Sequence, residues 1–260
     1  MSKNITSYDL LKTFAVIFMV VDHIGMYFFP DDLWWRAAGR ACVPVWFFLV
    51  GYARGRDLSP KILIGAGMLI AANFLAGMPI FPLNVLVTII LIRLILNPLM
   101  TTTLSVTGRE FWPMAMLLFL LAIPTMLITE YGTQALILSI FGYLVRHRQQ
   151  VGNEKFIIGY MAFSLGSFVT MQALAFDFTN AHIAFVIGAV LAVHVVLLVF
   201  RPQEYPALTA KMPRPATWFL QFCGHRTLEI YVAHLLIFKA LAVYWGLSGY
   251  GFLDWRWIEL

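Results

Sequence analysis

Phe14-Ala15-Val16-Ile17-Phe18-Met19-Val20-Val21-Asp22-His23-Ile24-Gly25 is an apolar run that, close to its end, carries an acid and an imidazole side by side. Taken from 9 to 29, the segment is long enough to cross a bilayer, which needs roughly 20 apolar residues. Spanning alone requires no ionisable pair. A charge at bilayer depth is costly, so Asp22 and His23 are read first as functional groups.

The rest of the chain repeats the apolar pattern. Of 260 residues 61% are hydrophobic and 12% charged, and the mean hydropathy is +0.81. Backbone polar groups in hydrocarbon must be satisfied within their own segment, so such a chain is expected to be all-α. The expected architecture is a polytopic integral membrane helical bundle of about nine transmembrane helices forming a single domain over 1–260. The spans fall at 9–29, 37–53, 60–78, 83–99, 111–128, 133–145, 156–176, 181–200 and 227–246. The sixth is short and is expected to tilt or to thin the bilayer. The proline-rich stretch 201–215 is not expected to be a regular helix, 218–223 is placed at the interface, and an aromatic tail with Trp255 and Trp257 ends the chain. The opening apolar run lacks a small-residue cleavage site and reads as the first span, not a signal peptide.

The formal net charge is +5. Lys3, Arg54, Arg56, Lys61, Arg109, Arg146, Arg148, Lys155, Arg201, Lys211 and Arg214 fall on junctions of one side. Arg36, Arg40 and Arg256 fall on the other. By the positive-inside rule the N-terminus is cytoplasmic and the C-terminus is outside. No basic patch lies beside aromatics outside the membrane, so no nucleic acid is expected as a partner; the partner implied is the lipid bilayer. Cys42 and Cys223 sit in apolar surroundings and read as buried thiols. There is no HExxH, CxxC or close carboxylate cluster, hence no metal site is expected. No fixed-period repeat or inverted halves are visible, which disfavours a secondary transporter.

At about 100° per residue, Asp9, Lys12, Val16, Met19, His23 and Tyr27 form one stripe of the first helix. His23 lies about 20 Å beyond the charged end of that stripe. Asp22 points about 100° away from His23, so the two are expected to serve different partners, with Arg40 the first candidate for Asp22. Burial disfavours an imidazolium, so His23 suits a general base; the alternative is an interhelical hydrogen bond. In the last helix His225 and Glu229 share a face, as do Tyr231 and His234. Glu229 has Arg226 as a nearby ion partner, and His234 reads equally as a site or a packing residue. Asn84 and Thr88 share a face of the fourth span, and Arg93 either meets an anion or snorkels. Arg54, Arg56, Arg146 and Arg148 suit a phosphate-rich ligand, although topology alone accounts for them. His147 belongs to that loop, and His182 and His194 read as packing residues.

Tyr8-Asp9-Leu10-Leu11-Lys12, Asp22-His23-Ile24-Gly25, Gly39-Arg40-Ala41-Cys42-Val43-Pro44-Val45-Trp46-Phe47-Phe48, Asn84-Val85-Leu86-Val87-Thr88 and Glu130-Tyr131-Gly132 resemble the TraX family of inner-membrane proteins, whose namesake is implicated in N-acetylation of conjugative F pilin. The last helix, from Gly224-His225-Arg226 to Ala233-His234-Leu235, resembles the final motif of broader transmembrane acyltransferases. That group includes bacterial polysaccharide O-acyltransferases and lysosomal heparan glucosaminide N-acetyltransferase. The resemblance implies a multi-pass protein of the bacterial inner (cytoplasmic) membrane and an acetyl-CoA-dependent acetyltransferase. Acyl-CoA would reach the bundle from the cytoplasm, and a protein or glycan acceptor, such as a pilin N-terminus or a sugar hydroxyl, would lie outside. It implies His23, Asp22 and His234 as catalytic and Arg40 and Asn84 as holding substrate or local geometry; the reading of the residues themselves adds Glu229 to the second group and Lys12, Arg93 and Arg54 as contacts of the cofactor. Two other classes fit the same residues: a proton-coupled transporter or flippase using the intramembrane Asp and His side chains, and a non-catalytic assembly protein on the same scaffold.

Overall fold

The computed structural model describes residues 4–104 and 111–258, which contain fourteen helices and, apart from isolated bridges, no strands. Lys3 and Arg109 lie outside the described residues. In chain order the helices begin with α1 (Ser7–Phe28), α2 (Leu33–Gly39), α3 (Cys42–Tyr52), α4 (Pro60–Leu75) and α5 (Val85–Leu104). Then come α6 (Phe111–Leu120), α7 (Ala122–Met126), α8 (Gly132–Arg146), α9 (Arg148–Val151) and α10 (Glu154–Ala175). The last are α11 (Asn180–Leu198), α12 (Pro206–Lys211), α13 (Arg214–His225) and α14 (Thr227–Tyr244). Four of them, α1, α10, α11 and α14, are long and apolar enough to cross a membrane, and Pro60–Leu75, Val85–Thr101 and Phe111–Leu120 are shorter apolar helices. Their outward residues are greasy: Ile64, Leu120 and Val196 all expose more than half their surface. In water that would be a liability; against lipid tails it is the expected finish.

Two expected spans are each two helices. The run 37–53 breaks at Arg40-Ala41 between α2 and α3 because Pro44 has no N–H for the carbonyl of Arg40, so the helix restarts with the proline in its first turn. The run 111–128 breaks at Leu121 for the same reason, Pro124 leaving the carbonyl of Leu120 without its partner. Conversely, 201–215 does contain a regular turn of structure. Pro206 sits at the start of α12, where a missing N–H costs nothing, and Pro213 and Pro215 mark the entry to α13.

The chain divides into two compact units. The first takes the residues up to Trp46 together with Phe178–Leu235, hence α1, α2, α11, α12, α13, the start of α3 and the first part of α14. Here α1 opens with a capping box: the Thr6 hydroxyl accepts from the Asp9 N–H at 3.2 Å, and the Asp9 carboxylate accepts from the Thr6 N–H at 2.9 Å. It stops at Phe29, just before Pro30. Helix α1 packs against α2 and α13, and α2 packs against α11. Lys12 Nζ and the Thr13 hydroxyl donate to the carbonyls of Gly224 and Leu220 at 3.0 and 3.2 Å, satisfying the C-terminal end of α13.

The second unit takes Phe47–Asp177 and Leu236–Leu260 and is built around α8, in which every residue from Gln134 to Val145 is buried. Fifteen residues span about 22 Å, and a helix apolar all round belongs in a core. Helices α5, α6, α7 and α10 pack on it. The aromatic tail folds back on the end of α4: Ile80 and Phe81 donate to the carbonyls of Arg256 and Trp257, and the Trp255 ring lies against Phe74.

Candidate functional site

The first unit gathers the polar groups of the Asp22-His23 segment. On α1, Asp22 and Gly25 are one turn apart and both face α2. A Cβ on Gly25 would lie 2.3 Å from Trp35 Cβ, and one on Gly39 would lie 2.2 Å from Asp22 Cβ. The two helices therefore touch through a reciprocal pair of glycines, which small-residue packing in lipid favours. That approach delivers Asp22 to two guanidinium groups. Arg36 Nη1 donates to Asp22 Oδ2 at 2.7 Å and to its backbone carbonyl at 3.1 Å. Arg40 Nη2 donates to Oδ1, while Arg40 Nε returns to the carbonyl of Arg36 at 3.2 Å. Asp22 and Arg40 are buried. Arg36 is the partner that sequence reasoning missed; its signal was the i,i+4 spacing from Arg40, which puts both guanidiniums on one helical face.

His23, one residue on, looks elsewhere. Its Nδ1 lies 2.7 Å from Nε2 of His234 on α14, and the rings stack at 5.0 Å between centroids. The Tyr231 ring closes the group at 6.1 Å from His23 and 5.8 Å from His234. His234 Nδ1 is 2.7 Å from the carbonyl oxygen of Ile230. A carbonyl only accepts, so Nδ1 of His234 carries the proton and, in the neutral ring, Nε2 is the acceptor. His23 must then donate from Nδ1, which leaves its own Nε2 as a bare lone pair. Among the described residues Nε2 of His23 makes no hydrogen bond, and it is not one of the enclosed nitrogens without partners, a set that includes Nε2 of His182. Of the other members of its stripe, Asp9, Val16, Met19 and Tyr27 are buried and Lys12 is half-buried.

The remaining candidates apart from Arg54 have structural partners. Lys12 serves the end of α13. Glu229 is largely exposed and pairs with Arg226 at 3.2 Å. His225 donates from Nδ1 to the Gln221 carbonyl at 2.7 Å, with Asp9 Oδ1 3.7 Å away. His194 is fully buried and donates to the Val190 carbonyl at 2.9 Å, a packing role. Three candidates belong to the second unit. Asn84 ties α4 to the start of α5, donating to the Ala66 carbonyl and accepting from the Leu86 N–H, both at 3.1 Å. Arg93 donates to the Asp57 carbonyl at 2.8 Å, and Arg54 is exposed. The first unit also holds a cavity of about 750 Å³ lined by Leu11, Phe14, Phe18, Phe185 and Val193. It follows a face of α1 more than 100° from His23 and so is separate from the imidazole pair. Among the described residues no three His, Cys, Asp or Glu side chains are grouped to hold a metal ion.

Fold and site together define an all-helical protein with several helices apolar enough to cross a membrane and a half-buried imidazole pair beside an arginine-clamped aspartate. A family model described as TraX protein matches residues 7–242, and the chain belongs to the TraX family. An uncharacterized protein of Rickettsia prowazekii (strain Madrid E) is 25% identical over 259 residues, covering 98% of this chain and 99% of that protein. No solved structure matches the chain.

Proposed function

We propose that this protein is an acetyltransferase of the bacterial inner membrane. It moves an acetyl group from cytoplasmic acetyl-CoA to an amine or hydroxyl on the outer side, a pilin N-terminus or a glycan. Membership of a family associated with F-pilin acetylation supports the reaction class. The observation that carries the residue assignment is the directed pair His23–His234, which presents one unprotonated imidazole nitrogen. In this reading His23 Nε2 removes the proton as the acceptor nitrogen or oxygen bonds to the thioester carbonyl carbon. The carbon–sulfur bond then breaks, and the CoA thiolate takes the proton back from His23. The imidazolium formed in between is steadied by donating from Nδ1 to His234. His234 is thus a positioning residue, and Asp22 with Arg36 and Arg40 positions α1 against α2. The same bare nitrogen would serve as nucleophile in transfer through an acyl-histidine. The reading places about nine spans in the membrane with the N-terminus in the cytoplasm.

The test is transfer of radiolabelled acetyl from acetyl-CoA to a peptide with a free N-terminal amine and to an oligosaccharide, using purified protein. Wild type labels one of them, and His23→Ala lowers kcat by about 10²–10⁴. His234→Ala lowers kcat with KM unchanged, the signature of a group acting on the transition state. Absence of labelling in either acceptor, or full activity in His23→Ala, overturns the proposal.

A further inference from the structure

Away from the imidazole pair, the second unit gathers three arginines that no carboxylate among the described residues neutralises. Arg56, in the loop after α3, donates from Nη2 to the Gly51 carbonyl at 2.8 Å and from Nη1 to Asn97 Oδ1, with its guanidinium 5.4 Å from the centre of the Tyr143 ring. Arg146, at the end of α8, lies 5.3 Å from the centre of the Tyr52 ring and 3.4 Å from that residue's carbonyl. Among the described residues Arg93 donates only to the backbone carbonyl of Asp57. Among the described residues none of the three is in an ion pair, whereas Arg36, Arg40, Arg148 and Arg226 all are. Nε of Arg56 and Nε of Arg93 are enclosed and have no hydrogen-bond partner. Burial, joined by repulsion from Arg93 and Arg146 and opposed by Tyr143, holds the Arg56 guanidinium below its usual basicity.

Positive-inside topology asks for basic residues in loops, and exposed Arg54 meets that demand. It does not ask for guanidiniums drawn together with donors left unmet, an arrangement that costs free energy until an acceptor arrives. Planar forked donors match phosphate oxygens.

We infer that Arg56, Arg93 and Arg146 form a binding site for a phosphate-rich anion, a diphosphate or a close pair of phosphates. Two sources share that chemistry: the phosphate-bearing end of CoA, an assignment that rests on the acetyl-transfer reading, and the headgroup of an anionic phospholipid.

The experiment measures binding to the full chain in phosphatidylcholine nanodiscs by calorimetry, with inorganic pyrophosphate, CoA and dephospho-CoA, and in parallel with phosphatidylglycerol added to the disc. Pyrophosphate and CoA are expected to bind, Arg56→Gln and Arg93→Gln each weakening them by about 10- to 100-fold, and Lys211→Gln, at an exposed basic residue of the first unit, leaving them unchanged. Arg56→Lys, which keeps the charge and loses the fork, falls between, and thermal midpoints of all variants control for folding. Selective uptake of phosphatidylglycerol without CoA binding, lost in the same variants, supports the site and assigns it to lipid. Binding of none of these, or equal binding by wild type and the Arg56→Gln/Arg93→Gln double variant, overturns it. Undiminished CoA affinity and acetyl transfer in the double variant sink this site alone; pyrophosphate binding without any acetyl transfer sinks the acetyltransferase reading alone.

Discussion

Asp22 and His23 are neighbours in the chain with unrelated partners. The 100° step of the helix separates them, and the structure gives Asp22 two arginines of α2 and its C-terminal cap and His23 an imidazole of α14. That separation and the Asp22–Arg40 pair are legible in one helix and its immediate successor. The His23–His234 contact spans 211 positions and has no local signature, because periodicity reports which face is buried and not what it meets. The arginine clamp makes a stability prediction. Asp22→Asn leaves two guanidiniums without their countercharge in a buried place, and loss of one partner of such a pair typically costs about 3–5 kcal/mol. Thermal unfolding in detergent should show a large downward shift, before any effect on activity is considered; an unchanged midpoint would exclude a structural role for the clamp.

At the scale of elements, four expected spans coincide with the four helices long and apolar enough to cross a membrane, to within two residues at each end. The misreadings trace to single prolines. Pro44 and Pro124 stand inside apolar runs that hydropathy cannot subdivide, and each resets the helix by withholding one hydrogen bond. Contact between α1 and α2 depends on Gly25 and Gly39, where an added methyl meets Trp35 or Asp22. Gly39→Ala should therefore destabilise by about 1–3 kcal/mol through overpacking. A methyl added at Gly67 of α4 would meet nothing within 4 Å. Gly67→Ala should instead stabilise by about 0.5–1 kcal/mol, from helix propensity alone. Opposite shifts in melting temperature for the two substitutions are the expected result, and shifts of one sign would refute the packing argument.

At the scale of the whole molecule, the ion pairs bear on orientation. Arg36 and Arg40 are the main basic residues on the side assigned to the outside, and both are engaged with Asp22. Removing them from the loop tally leaves the charge bias of the proposed topology sharper. An alkaline phosphatase fusion after 258 should be active in the periplasm and one after 203 inactive; the reverse pattern inverts the topology. The imidazole pair also separates two ways of handling protons. A transporter needs a conduit in which every member both receives a proton and hands it on. Here the line runs from His23 through His234 to the Ile230 carbonyl, which receives a hydrogen bond and has nothing to release. Such a line is a reservoir with a single mouth, able to hold one proton through a reaction cycle and return it where it entered.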